Sequence, residues 1–216
     1  MLEVPDPDYT SSKRAQANFK LAAVLSSCAV LMLWCVYGLD QALSFDLLDI
    51  GLAPREGLGL VGILTAPLLH ASFEHLVSNT VPLLVGLTLM LYLFPNASAR
   101  ALPAIYLGSG GLAWLFAREA VHIGASGVVY GVLGFLFVSG LLRRDMRSMG
   151  VSLMIAFVYG SIIWGMVPMN NQMSWELHIA GSVMVVVMAW WLKAWDRPPM
   201  KVHDWERFDD DDPPSD

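Results

Sequence analysis

The chain has 216 residues, 56% of them hydrophobic and 15% charged, with a formal net charge of −6. Soluble domains average about 25% charged residues and about 45–50% apolar ones, so an ordinary soluble enzyme and a polar disordered chain are both excluded. The apolar residues fall in long stretches free of Asp, Glu, Lys and Arg. That is the pattern of a polytopic membrane protein, whose helices each need about 20 apolar residues to cross the hydrocarbon.

Residues 1–19 read as a cytoplasmic N-terminal segment. A first spanning helix is predicted near 20–39, with Cys28 and Cys35 at neither metal nor disulfide spacing. Residues 40–72 mix apolar and acidic residues, then bring Gly57, Gly59, Gly62 and Pro67. They read as a long membrane-associated loop carrying short amphipathic helices. Further spans are predicted near 74–93, 101–117, 125–142, 150–167 and 174–192. The last is short, and it suffices if Lys193 snorkels outward beside the aromatic belt of Trp190, Trp191 and Trp195. The expected fold is therefore an all-α membrane protein, a compact six-transmembrane-helix bundle over 20–195. Residues 196–216, with Asp209 to Asp212 in a row, read as an acidic, disordered cytoplasmic tail. With both termini inside, every Lys and Arg except Arg55 and Arg118 falls on the cytoplasmic side, as the positive-inside rule asks.

Polar groups inside spanning helices are expensive and need a reason. Four stand out: His75, Asn79, Ser126 and His178. His75 and Asn79 are four apart and share a helix face. Ser126 opens the fourth helix within Gly124-Ala125-Ser126-Gly127, and His178 lies just inside the sixth. Helices two, four and six enter from the same side, so all four groups sit at one shallow depth below the outer surface. A serine with a histidine suffices for nucleophilic catalysis when the imidazole takes the hydroxyl proton. Acyl transfer also needs donors for the developing oxyanion, and the Asn79 amide, a His75 N–H and the Ser126 backbone N–H are of the right kind. Glycines around Ser126 allow close approach of backbone and substrate. Glu176 is two residues from His178 and points to another face, so a dyad is expected instead of a triad. The bland alternatives are that Ser126 packs, that Asn79 bonds across helices, and that Gly127, Gly131 and Gly134 serve helix contact alone.

Three blocks of residues resemble the rhomboid intramembrane serine proteases. They are His70-Ala-Ser-Phe-Glu-His75-Leu-Val-Ser-Asn79, then Gly124-Ala-Ser126-Gly127-Val-Val-Tyr130-Gly131, then His178-Ile-Ala-Gly181, in order on helices two, four and six. The resemblance implies cleavage of transmembrane segments near the outer face of the bilayer. It gives Ser126 the role of nucleophile, His178 that of general base, and His75, Asn79 and the Ser126 amide that of the oxyanion hole. It further implies that Tyr130 stacks on the catalytic imidazole, that Gly181 lets helices four and six touch, and that His70 orders the loop before helix two. This chain departs from the family pattern in lacking a Trp-Arg pair in the first loop. Val185 also stands where a second small residue is usual, which makes the packing seam shorter or wider.

The rival reading is a catalytically inactive rhomboid-like protein that only binds membrane helices. A proton-conducting channel lacks ionisable residues deep in helices one, three and five. A metalloprotease lacks His-Glu-x-x-His, and His75, His122 and His178 have no carboxylate at ligand spacing, so no metal or other cofactor is expected. The expected partners are transmembrane protein substrates and the lipid bilayer, not nucleic acid. The expected location is a bacterial inner membrane. Helix five and the loop Met169-Asn170-Asn171-Gln172 are the expected substrate gate.

Overall fold

In the computed structural model, which describes residues 12–43, 46–169 and 173–197, Ser12 opens the first helix. Its Oγ accepts the Ala15 N–H at 3.1 Å, and α1 runs over Lys13–Leu43. The helix outruns the predicted 20–39 at both ends. Charged residues end the apolar stretch, but Lys, Arg, Gln and Ala are good helix formers and continue the coil. Only one stripe of α1 is buried, Ala15, Ala22, Ser26, Val30 and Leu33, and it packs chiefly on the second long helix. Opposite it, Leu31 and Met32 are exposed.

The segment before the second long helix matches the expected loop with short helices. Single turns occupy Leu47–Ile50, Leu58–Leu60, Gly62–Thr65 and Ala66–Leu68. The loop is tied down by backbone bonds. Leu52 and His122 exchange N–H···O bonds of 3.0 and 2.8 Å, and Arg55 N donates to Trp114 O at 3.0 Å. Trp114 Nε1 returns a bond to Glu56 O, and Tyr106 Oη donates to Leu64 O at 2.6 Å. The Leu52–His122 pair is an isolated bridge; no strand forms among the described residues.

The remaining long helices are α2 (Phe73–Leu93), α3 (Pro95–Phe116), α4 (Ser126–Arg143), α5 (Met146–Tyr159, continued as a 3-10 segment Gly160–Met166) and α6 (Trp175–Trp191). The third was predicted to start at 101, because Arg100 interrupts the apolar run. It starts at Pro95, a residue suited to the first helical position. The Asp196 carboxylate accepts from Asn96 N at 3.2 Å and Ala97 N at 2.7 Å, filling donors that a helix start leaves open. Asp196, in the expected tail, is thereby bonded to the start of α3. Residues 198–216, 1–11 and the gate-loop residues Asn170, Asn171 and Gln172 lie outside the described residues.

Four segments are long and apolar enough to cross a membrane, Lys13–Leu43, Phe73–Leu93, Ser126–Arg143 and Met146–Met166; α6 is apolar but shorter. Large apolar side chains face outward along them, Phe157 at 93% exposure being the extreme. Such a surface belongs against lipid, and the chain is a membrane protein.

The centre of the bundle is α4, packed on α6, α5, α2 and α3. A Cβ on Gly181 would lie 2.1 Å from Gly127 O, so α4 and α6 touch backbone to backbone. One turn and more inward, Val185 fills the space beside Gly134, where a Cβ would come within 3.0 Å of it. The seam thus stays closed with the bulk transferred to the other helix. At the C-terminal end of α4 the buried Arg143 guanidinium donates to Leu192 O at 3.0 Å and to Trp195 O. It also lies over the Phe94 ring. It closes the C-terminus of α6, where free carbonyls favour a cation.

Candidate active site

Ser72 is the N-cap of α2, its Oγ accepting the His75 N–H at 3.1 Å. This starts the helix so that His75 falls in its first turn and Asn79 one turn below. The His75 ring lies over Gly124, where a Cβ would meet His75 Cε1 at 2.5 Å. Gly124 also has φ +107°, a conformation open to glycine at little cost. Two independent constraints therefore require glycine two residues before Ser126.

Ser126 is the first residue of α4 and is partly exposed. N–H groups in the first turn of a helix have no partner within it, and the positive end of the helix dipole lies there. Its backbone amide and those that follow can therefore stabilise an anion. Gly127, next in the chain, lies against Leu177 O, where a Cβ would approach to 3.2 Å. This places the start of α4 beside the residue that precedes His178.

His178 is buried at 5% exposure and its ring is stacked on Tyr130, centroids 4.1 Å apart and planes within 6°. Its Nδ1 lies 2.7 Å from Gly165 O. A carbonyl can only accept, so Nδ1 carries the proton and Nε2 keeps its lone pair. Tyr130 Oη donates to Ile162 O at 2.5 Å. Both acceptors belong to the 3-10 segment that continues α5. Gly165 has no room for a side chain, since a Cβ would lie 2.0 Å from Tyr130 Oη. Ser182 Oγ adds a contact to Met166 Sδ at 3.2 Å.

Asn79 is buried, and its Nδ2 donates to His75 O at 3.0 Å; the second amide N–H remains for a ligand. His70, in the loop before α2, packs edge-to-face on His75 with centroids 5.0 Å apart. Burial, aided by the neighbouring His75 and opposed by the Leu68 backbone, pushes its imidazole down to about 4. His70 is thus a neutral packing group near pH 7. His70, His75 and Gly124 lie together at the N-terminal end of α2, and the N-terminal ends of α4 and α6 are joined through Gly127 and Leu177 O.

Sequence reasoning missed the Gly165 and Ile162 carbonyls, which hold the two stacked rings. The only signal was Gly160 and Gly165 interrupting an apolar run. It weighed His122 only as a metal ligand and missed its structural role; the residue is 1% exposed. His122 Nδ1 and Nε2 reach Ser174 Oγ and Arg118 O, each at 3.1 Å, and its backbone bridges Leu52. Through its ring and its backbone together, His122 therefore ties its own loop to those that carry Leu52 and Ser174. Glu176 pairs with Arg118 Nε at 3.5 Å. Among the described residues, no three His, Cys, Asp or Glu side chains stand close enough to hold a metal ion.

The family profile described as Rhomboid domain matches residues 58–195. An uncharacterized protein of Mycobacterium tuberculosis is 39% identical over 178 residues, 78% of this chain and 74% of its own length. Another, from Mycobacterium leprae, is 29% identical over 91% of this chain and 83% of its own. A Bacillus subtilis protein named "Putative rhomboid protease YdcA" is 29% identical over 62% of this chain and 66% of its own.

Proposed function

Because the chain belongs to the rhomboid family, we propose that it is an active intramembrane serine protease with six spanning helices and a Ser126–His178 dyad. The observation that carries this reading is the His178 imidazole, stacked on Tyr130 and bonded through Nδ1 to Gly165 O. A merely structural histidine needs no free Nε2. Here the ring is clamped on its face and on one nitrogen, which leaves the other for a proton.

A substrate helix unwinds locally and presents an extended peptide bond to Ser126. As Ser126 Oγ attacks the carbonyl carbon, His178 Nε2 takes the hydroxyl proton. The oxyanion is met by the Ser126 N–H, His75 and the Asn79 amide. His178 then gives its proton to the leaving amine, and an acyl-enzyme remains on Ser126. Water, deprotonated by the same imidazole, attacks the ester, and the imidazolium returns that proton to Ser126 Oγ as the second fragment leaves. The Gly165 carbonyl and the Tyr130 ring hold the imidazole where a triad uses a carboxylate. Backbone and a ring face do this without introducing a charge into the membrane, where a carboxylate is costly.

The reading places the dyad under the outer face of a bacterial inner membrane, with both termini cytoplasmic. Helix five and the loop Met169-Asn170-Asn171-Gln172 form the substrate gate, a reading supported by α5 being the least buried of the long apolar segments. The test is covalent labelling by a fluorophosphonate, with the modified residue mapped by mass spectrometry. Modification at Ser126, absent in His178→Ala, is the expected result. A folded chain that never labels would leave the family's helix-binding role in place of catalysis.

A further inference from the structure

Two residues of the connection between α3 and α4, Arg118 and His122, hold the start of α6, and the proposed reaction uses neither. Arg118 Nη2 donates to Met173 O at 2.8 Å, and Arg118 Nε faces Glu176 Oε1 at 3.5 Å. His122 Nε2 lies 3.1 Å from Arg118 O, and its Nδ1 lies 3.1 Å from Ser174 Oγ. A carbonyl can only accept, so Nε2 carries the proton and Nδ1 accepts from the Ser174 hydroxyl. The two residues are thus joined to each other and to residues 173, 174 and 176, just ahead of His178.

This contact has two features that helix stability alone does not explain. Serine is a favoured N-cap because its oxygen can take up a free first-turn N–H. Ser72 does so for α2, and Asp145 for α5. Ser174 stands in the same place before α6 and makes no such bond; its hydroxyl turns to His122 instead. Glu176 is the second feature. Among the described residues it is the only buried carboxylate side chain, and neither of its oxygens has a hydrogen-bond partner. Taking such an ion pair out of water is costly. The frame behind the contact is itself tied down. The His122 backbone exchanges bonds with Leu52, and Arg55 Nη1 donates to Ala117 O at 2.7 Å.

We propose that Arg118 and His122 are positioning residues for the general base, an inference that rests on reading His178 as that base. The Tyr130 ring and Gly165 O aim the imidazole. Arg118 and His122 fix the first turn of α6, the backbone from which the imidazole projects. The forgone cap and the buried ion pair serve placement of that turn. Small displacements matter here, since a misplacement of about 1 Å can cost about 10²-fold in rate.

The test compares the full-length wild type with Ser174→Ala and with the double variant Arg118→Gln/Glu176→Gln, which leaves no charge unpaired. Asn96→Ala is the control. It removes a 2.7 Å bond to Asp196 beyond the C-terminus of α6, so it lowers stability without touching the clamp. In protein carrying nitrogen-15 histidine, the His178 Nδ1–H resonance is assigned by its loss in His178→Ala. It should shift in both clamp variants and stay in place in Asn96→Ala. With a transmembrane reporter in vesicles, kcat should fall about tenfold or more in Ser174→Ala while KM changes less than about twofold. If the double variant does not fold, Ser174→Ala decides alone. A His178 resonance unmoved by loss of the Ser174 hydroxyl would overturn the proposal. So would an equal loss of kcat in Asn96→Ala, which would assign the effect to lowered stability. The resonance needs no substrate. A wild type that cleaves nothing therefore contradicts the protease reading, while the clamp stands or falls on the resonance.

Discussion

Helix α4 and the α5 segment are apolar to nearly the same degree, yet 67% of the most apolar window of α4 is buried and only 11% of that of Met146–Met166. The difference lies in their glycines. Gly127, Gly131 and Gly134 let α6 and α3 lie against α4, with Gly131 leaving room for Ile105 that a Cβ would invade at 2.1 Å. In the α5 segment a Cβ on Gly150 or Gly160 would meet nothing within 4 Å, and only Gly165, at its very end, is in close contact. Hydropathy therefore tells which segments meet lipid or core, while the contact made by each glycine tells which of them is the core. The consequence for chemistry is a division of labour. The buried pair α4 and α6 holds the candidate nucleophile and base, and the lightly packed segment supplies two backbone carbonyls that aim the base.

The largest effect is expected where the tight pair is forced apart. Gly181→Val puts a branched side chain against Gly127 O. It should abolish proteolysis and lower the melting temperature in detergent, read by circular dichroism beside a cleavage assay. A variant with wild-type activity would show that α4 and α6 need not touch. Next comes Asn79→Ala, which removes one of several oxyanion donors. Losses for one such donor run to about 10²–10³ in kcat, and the lower end is expected because other donors remain; KM for a transmembrane reporter should change little.

Tyr130→Phe tests the aiming of the base from the loosely packed side. The stack on His178 survives, and the bond to Ile162 O is lost, typically worth about 1 kcal/mol. A fall of about tenfold or less in kcat/KM is expected, against a much deeper loss for Tyr130→Ala. Equal losses in the two variants would assign the whole effect to the hydroxyl. The smallest effect is expected at Phe157→Ala. This ring is 93% exposed, so stability should move by no more than about 0.5 kcal/mol in a reversible unfolding assay.

Much of this was legible in the sequence because membrane physics penalises polar groups so heavily. His75, Asn79, Ser126 and His178 stood out as candidates by being expensive, and the all-helical membrane fold followed from long charge-free runs. What escaped came from two sources. Helix starts depend on partners far along the chain. Pro95 begins α3 because Asp196, a hundred residues later, caps it, and no local pattern carries that. Backbone acceptors escape for a different reason, since every residue has a carbonyl and composition cannot tell which one an imidazole will use. Val185 is an intermediate case: the sequence marked it as a break in the small-residue seam, and the structure sets it against Gly134, which restores the fit.

The most direct test of the central claim compares wild type with Ser126→Ala in lipid vesicles, each given the same set of tagged single-span reporter helices. Wild type should cut at least one reporter near the end that lies at the outer face. Ser126→Ala, equally helical and equally thermostable, should lose at least about 10⁴-fold in rate. Cleavage that persists in Ser126→Ala, or a folded wild type that cuts none of the reporters, would contradict the assignment of this site to proteolysis.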